Sequence, residues 1–140
     1  MNKYGRDLIT LIRAFPPLVW VMTDTDGGFI SVEEAYANNQ PLPIWGGSWE
    51  GSIWGSKELN ALFRAYHDSV HMLYGCDFSL EGELKASVIQ ADHAHSIGLD
   101  ELAQVLVIET AGQALYYDTN GKFPPQTYTL HKLLELGVIT

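Results

Sequence analysis

Apolar positions recur at helical intervals over most of the second half of the chain and fall into shorter, mixed patterns over the first. Lys3 to Phe15 places Leu8, Ile9, Ile12 and Phe15 at such intervals and then meets Pro16-Pro17, which a helix cannot cross, so a short opening helix is predicted. Leu18 to Thr23 and Phe29 to Val32 are rich in β-branched and aromatic residues and flank Asp24-Thr25-Asp26-Gly27-Gly28, a pattern that predicts a β-hairpin. From Ser56, a suitable N-cap, the residues Leu59, Leu62, Phe63, Tyr66, Val70 and Leu73 form one apolar stripe up to Gly75. A second long helix is predicted from Ser79 to Gly98 with Leu84, Val88 and Ala91 on one side. A third, Asp100 to Tyr117, is apolar enough to sit centrally, and Thr129 to Leu136 gives a last short helix ended by Gly137.

The expected fold is therefore mostly α, with four to five helices, a small N-terminal β-hairpin and no linker, in a single domain over 1–140. Its parts are an opening helix and hairpin at 3–32, a Trp/Gly-rich loop at 33–55 and a helical core at 56–140. The loop carries a quasi-repeat, Trp45-Gly46-Gly47-Ser48, Trp49-Glu50-Gly51-Ser52 and Trp54-Gly55-Ser56. Connections of that length are often lids or binding segments. Its indoles either stack on a ligand or fold back as a hydrophobic plug, since large aromatics supply buried area.

The chain has 140 residues, is 46% apolar and carries a net charge of −9, so a phosphate backbone or an anionic membrane surface is repelled on average. Nucleic acid is not an expected partner, and no apolar run approaches the roughly 20 residues of a membrane span. Cys76 is the single cysteine, so no intrachain disulfide can form, and no signal peptide is recognisable. A cytoplasmic location is the expectation. No phosphate-binding loop, dinucleotide fingerprint or Gly-x-Ser-x-Gly elbow occurs, which removes the main support for nucleotide and serine-hydrolase chemistry.

The most specific chemistry lies in His67-Asp68-Ser69-Val70-His71. At about 100° per residue, residues four apart stand nearly one above the other, so both imidazoles can converge on one ion. Measured from Leu59, the two lie at about 80° and about 120°, on the border of the apolar stripe, where a crevice between helices opens. Two imidazoles need a further ligand, usually a carboxylate, and Glu83 near the start of the next helix can supply it. Gly75 and Gly82 permit the turn and the close approach. Asp68 is a further ligand, an orienter of His67 or a base, and Glu81 is a second group able to move a proton.

His67-Asp68-x-x-His71, eleven residues and then Glu83 resembles the HDxxH-x11-E metal motif of the coenzyme Q biosynthesis protein 4 family. Arg64, Leu73, Gly75 and Gly82-Glu83 extend the likeness, which spans about 20 residues. The resemblance implies a helical fold, a zinc or similar divalent ion held by His67, Asp68, His71 and Glu83, and a part in ubiquinone assembly at ring decarboxylation. The chain is shorter than that family and shows no amphipathic helix for a polyprenyl tail, so the site carries over more readily than the quinone. More loosely, Phe78 to Glu83 resembles small phage-encoded proteins with a His-Asp/Gly-Glu pattern.

Other candidates are less specific. His93 and His95 lie about 200° apart and cannot share a helix face. His95, in line with Leu84, Val88 and Ala91, reads as a partly buried core histidine. Gln90 shares the face of Glu83 and either meets the site or solvent. Glu109 and Gln113 interrupt the apolar third helix, where an acid is costly unless paired with Arg64 or Lys85, neutralised or set beside a metal site. Cys76 reads as a buried thiol, and Asp24 to Gly27 as a plain turn, because Ala35 stands where a calcium loop requires glutamate.

Two function classes follow. One is a metal-dependent enzyme, a lyase or hydrolase on a small organic substrate. Zn²⁺ is the first choice, and Fe²⁺, Mn²⁺ or Ni²⁺ suit the same ligands. The other is a binding module, phage-encoded in one version, that meets a protein partner and carries a structural metal or none.

Overall fold

The computed structural model describes residues 1–139, of which most are helical. The elements are α1 Lys3–Ala14, β1 Trp20–Thr23, α2 Gly28–Ala37, β2 Leu42–Trp45, α3 Lys57–Tyr74, α4 Leu80–Ser96, α5 Asp100–Val107, α6 Gln113–Asn120 and α7 Tyr128–Glu135. A π-helical segment, Ile108–Gly112, joins α5 to α6 without a break, so the described residues form six helices.

The hairpin gives way to a β-α-β unit. Phe29 to Val32 opens α2, and the second strand is Leu42–Trp45, paired in parallel with β1 in the register Trp20↔Leu42 and Thr23↔Trp45. The Asp-Gly-Gly sequence starts a helix instead of turning between strands: Gly28 takes φ 66° and donates its N–H to Asp26 Oδ1 at 2.9 Å. Downstream, Glu33-Glu34-Ala35 favour a helix, and parallel strands need such a crossover between them. Pro43 is tolerated in β2 because Leu42 and Gly46 donate to Val19 and Thr23, which directs the alternate position away from β1.

α3 is the spine. Ser56 caps it by accepting from the Leu59 N–H, and Gly75 ends it at φ 67°. Phe63, Tyr66 and Val70 pack into a main core with Leu8, Leu11, Leu102, Leu106 and Leu133. Ala61 and Ala65, on another side, pack against Val32, Leu42 and Ile44 of the β-α-β unit. Leu73, the last position of the predicted stripe, is exposed.

α4 begins after Ser79, as predicted, but buries a different face. Leu84 and Val88 point outward, whereas Gly82, Ala86, Ser87, Gln90 and Ala94 are buried. Small side chains let α4 approach its neighbours closely, and they carry too little apolar signal to mark that face in a hydropathy pattern. Gly82 is required here, since a Cβ would sit 1.9 Å from the Asp77 carbonyl oxygen. His95 is consequently exposed and pairs with Asp100, not with the core.

The tryptophans of the loop divide their roles. Trp54 is fully buried and stacks on Phe63 at 5.1 Å, a plug beneath the loop. Its Nε1 finds no partner, a cost of about 1–3 kcal/mol offset by the area the indole buries. Trp45 instead lines a cleft, with the Arg64 guanidinium 5.5 Å from its ring centre.

Candidate metal centre

α3 delivers two imidazoles one turn apart, and the first turn of α4 brings Glu83 to them. Ser79 caps α4 through the Gly82 N–H, and Asp77 accepts from both the N–H and the hydroxyl of Ser79. This fixes where α4 starts and hence where Glu83 points. Glu83 Oε1 lies 2.7 Å from His71 Nε2, Glu83 Oε2 lies 3.4 Å from His67 Nε2, and the two Nε2 atoms are 3.2 Å apart. A tetrahedral ion with bonds of about 2.0–2.1 Å requires ligand atoms about 3.3 Å apart, so the triangle has the right size.

The opposite ring nitrogens decide the tautomers. His71 Nδ1 lies 2.9 Å from the Cys76 carbonyl oxygen, which can only accept, so this nitrogen carries the proton. His67 Nδ1 lies 2.7 Å from Gln90 Oε1, while Gln90 Nε2 donates to Thr110 Oγ1 at 2.7 Å. The neutral rings therefore aim lone pairs from both Nε2 atoms at a carboxylate. Three acceptors converge without a donor, an arrangement that demands a proton or a cation.

Among the protein groups alone, a proton serves. Burial works to lower the pKa of His67, but the charge and hydrogen bond of Glu83 outweigh it and hold it at about 9. Burial likewise works to raise Glu83, and the two imidazoles reverse this, holding it at about 2. Asp68 lies outside the triangle, partly buried beside it, and burial raises its pKa to about 6 against the pull of both histidines.

The triangle opens onto a cleft of about 940 Å³ lined by His67, Asp68, Glu83, Arg64 and Trp45 among others. Arg64 ties the Trp/Gly loop across it, donating to the carbonyls of Trp45 at 2.8 Å, Gly47 at 2.5 Å and Ser48 at 3.2 Å. The π segment also lines the cleft, through Glu109 and Thr110. Its wider turn buries Ile108, Glu109, Thr110 and Ala111 in succession, which a regular helix at a surface does not do. Glu109 takes a hydrogen bond from the Thr129 hydroxyl, and burial raises its pKa to about 7. It makes no ion pair with Arg64 or Lys85.

The structure thus brings together His67, His71 and Glu83, with Asp68 at their side and Gln90 behind. Glu81 it leaves outside: this carboxylate is exposed, pairs with Lys85 at 3.4 Å and does not reach the cleft, because it stands two positions from Glu83 on a helix. Cys76 is a buried thiol that serves the site through its backbone oxygen. Thr110 and Thr129 are not legible as partners, since nothing in a sequence marks the π segment that presents Thr110 or shows that α7 brings Thr129 to Glu109. No protein-family model matches this chain, no curated protein matches it, and no solved structure matches it. Among the described residues, no helix is long and apolar enough to cross a membrane.

Proposed function

We propose that the protein is a divalent-metal-dependent enzyme, a lyase or hydrolase acting on a small organic substrate, with zinc as the ion and Fe²⁺ or Mn²⁺ as alternatives. The observation that carries this reading is the three-acceptor triangle His67, His71 and Glu83 opening onto a large cleft. Three protein ligands leave a coordination position for substrate, whereas four would close the site. The resemblance to the coenzyme Q biosynthesis protein 4 motif supports these three as ligands and adds Asp68, which stands outside the triangle. A divalent ion held there would supply a Lewis acid to a polar group of the substrate.

The remaining work belongs to side chains. Gln90 and the Cys76 carbonyl orient the two imidazoles. Asp68 and Glu109, acids whose pKa values burial brings towards neutrality, move the proton. Arg64 holds the loop that shields the cleft. The buried Cys76 thiol accords with a cytoplasmic location.

A second reading, a binding module with a structural ion, rests on Asp68, which is near enough in sequence to His67 to become a fourth ligand. Elemental analysis of the purified protein tests the proposal, with about one ion per chain expected and none in His67→Ala or Glu83→Ala. X-ray absorption on the metal-loaded protein separates the readings: three protein ligands support the enzyme, four the structural site, and no bound metal overturns both.

A further inference from the structure

The cleft has features that three metal ligands do not explain. Phe29, Tyr117 and Phe123, all lining it, are 50%, 47% and 67% exposed, although a folded chain gains by burying such rings. They stand in two pairs from different elements. Phe29 of α2 stacks on Phe78 at 5.2 Å, and Tyr117 of α6 lies 4.6 Å from Phe123. Phe78 also stacks on His71 at 4.1 Å, so the first pair is continuous with the triangle. Aromatic faces are negative and attract cations.

The charges agree. Asp26, Glu50 and Asp118 line the same cleft, are exposed, and among the described residues pair with no Lys or Arg. Arg64 is the one Lys or Arg in the lining, and its guanidinium is taken up by loop carbonyls. Away from the triangle, a phosphate or carboxylate entering here meets three carboxylates and no free Lys or Arg. A concave wall of one sign focuses its field on a ligand of the other.

We infer that the cleft selects an organic cation: a small ammonium compound whose apolar body lies on the exposed rings and whose charged head faces Asp118, Glu50 and Asp26. This rests on the metal-enzyme reading only for what happens to the compound afterwards, since its recognition uses none of the three ligands. It makes anionic substrates, phosphate esters included, the disfavoured class.

The test titrates the purified protein with benzyltrimethylammonium, benzyl alcohol and phenyl phosphate by calorimetry, with metal content measured on the same samples. The cation is expected to bind at least about tenfold tighter than either of the others. Raising salt from about 0.05 to about 0.5 M should weaken it several-fold. Asp118→Asn with Glu50→Gln, and separately Phe123→Ala, should each weaken it about tenfold with metal content unchanged. Equal binding of phenyl phosphate, or unchanged affinity in both variants, overturns the inference. Cation binding in a protein that takes up no metal would defeat the metal reading alone. Bound metal without cation binding would defeat the cation alone.

Discussion

Two histidine clusters flank α3, and they are built on opposite principles. On one side, His67 and His71 turn their Nε2 lone pairs towards the Glu83 carboxylate. On the other, His93 of α4 lies between two phenols, Tyr66 at 2.8 Å from Nδ1 and Tyr74 at 3.1 Å from Nε2, with the Phe15 ring stacked on it at 3.9 Å. A hydroxyl donates or accepts as needed, so either tautomer of His93 is satisfied within the protein. Burial lowers the pKa of His93, keeping it neutral, whereas His67 is held at about 9 by the acid facing it. The difference teaches that a surplus of acceptors, not the presence of histidine, marks a group that could hold a metal ion.

The sharpest way to break this comparison is to delete one ring from each cluster. His71→Ala should abolish stoichiometric metal binding, and His93→Ala should leave it intact, as read by elemental analysis after dialysis against trace metal. Loss in both variants would mean that the second cluster matters to the first. Because the metal must displace the proton shared by His67 and Glu83, affinity should also rise with pH up to about 9. A competition titration at pH 6 and pH 8 reads that trend directly.

The ligand triangle was legible because helical spacing alone stacks His67 over His71, and because Ser79 announces where the next helix starts and so where Glu83 falls. The packing face of α4 was not legible. Leu84 and Val88 draw the eye, but the interface is made by Gly82, Ala86, Ser87 and Gln90, whose small size and one amide carry no hydropathy signal. Helical spacing puts Gln90 on the face of Glu83 but does not reveal its contact with His67 Nδ1, which depends on that packing. Likewise, Phe29-Ile30-Ser31-Val32 is rich in β-branched and aromatic residues as a strand is, yet the crossover between parallel strands required a helix there.

Gln90 supplies the next test, since it is fully buried and serves one cluster only. Gln90→Leu keeps the volume roughly and removes the acceptor that fixes the His67 tautomer. Metal affinity should fall about 10–100-fold, as is usual when a partner behind a ligand is lost. An unchanged affinity would show that His67 needs no orienting group.

Glu109 sharpens the contrast in stability, being a buried acid with one hydroxyl donor that lines the same cleft as His67. Its folded pKa of about 7 lies above the ordinary glutamate value. Below pH about 4.5 both folded and unfolded states hold the proton, and no stability is lost. As pH rises the unfolded state ionises first, so stability falls until the folded group ionises near pH 7 and stays lower beyond. Glu109→Gln, which keeps an acceptor for Thr129, should therefore match the parent at pH 4.5 and exceed it by roughly 2–3 kcal/mol at pH 8 in urea unfolding.

The smallest effect belongs to the self-satisfied cluster. Tyr66 is nearly fully buried, and its hydroxyl meets His93 Nδ1. Tyr66→Phe preserves the ring in the main core and removes one neutral hydrogen bond. His93 is only partly buried and keeps Tyr74, so water can reach the freed nitrogen and the penalty for an unsatisfied group is largely avoided. The expected cost is about 1 kcal/mol in urea unfolding, with metal content untouched. A cost several times larger would mean that His93 is sealed from solvent. A loss of metal would mean that Tyr66 positions His67, its neighbour on α3, and the two clusters would then have to be treated as one.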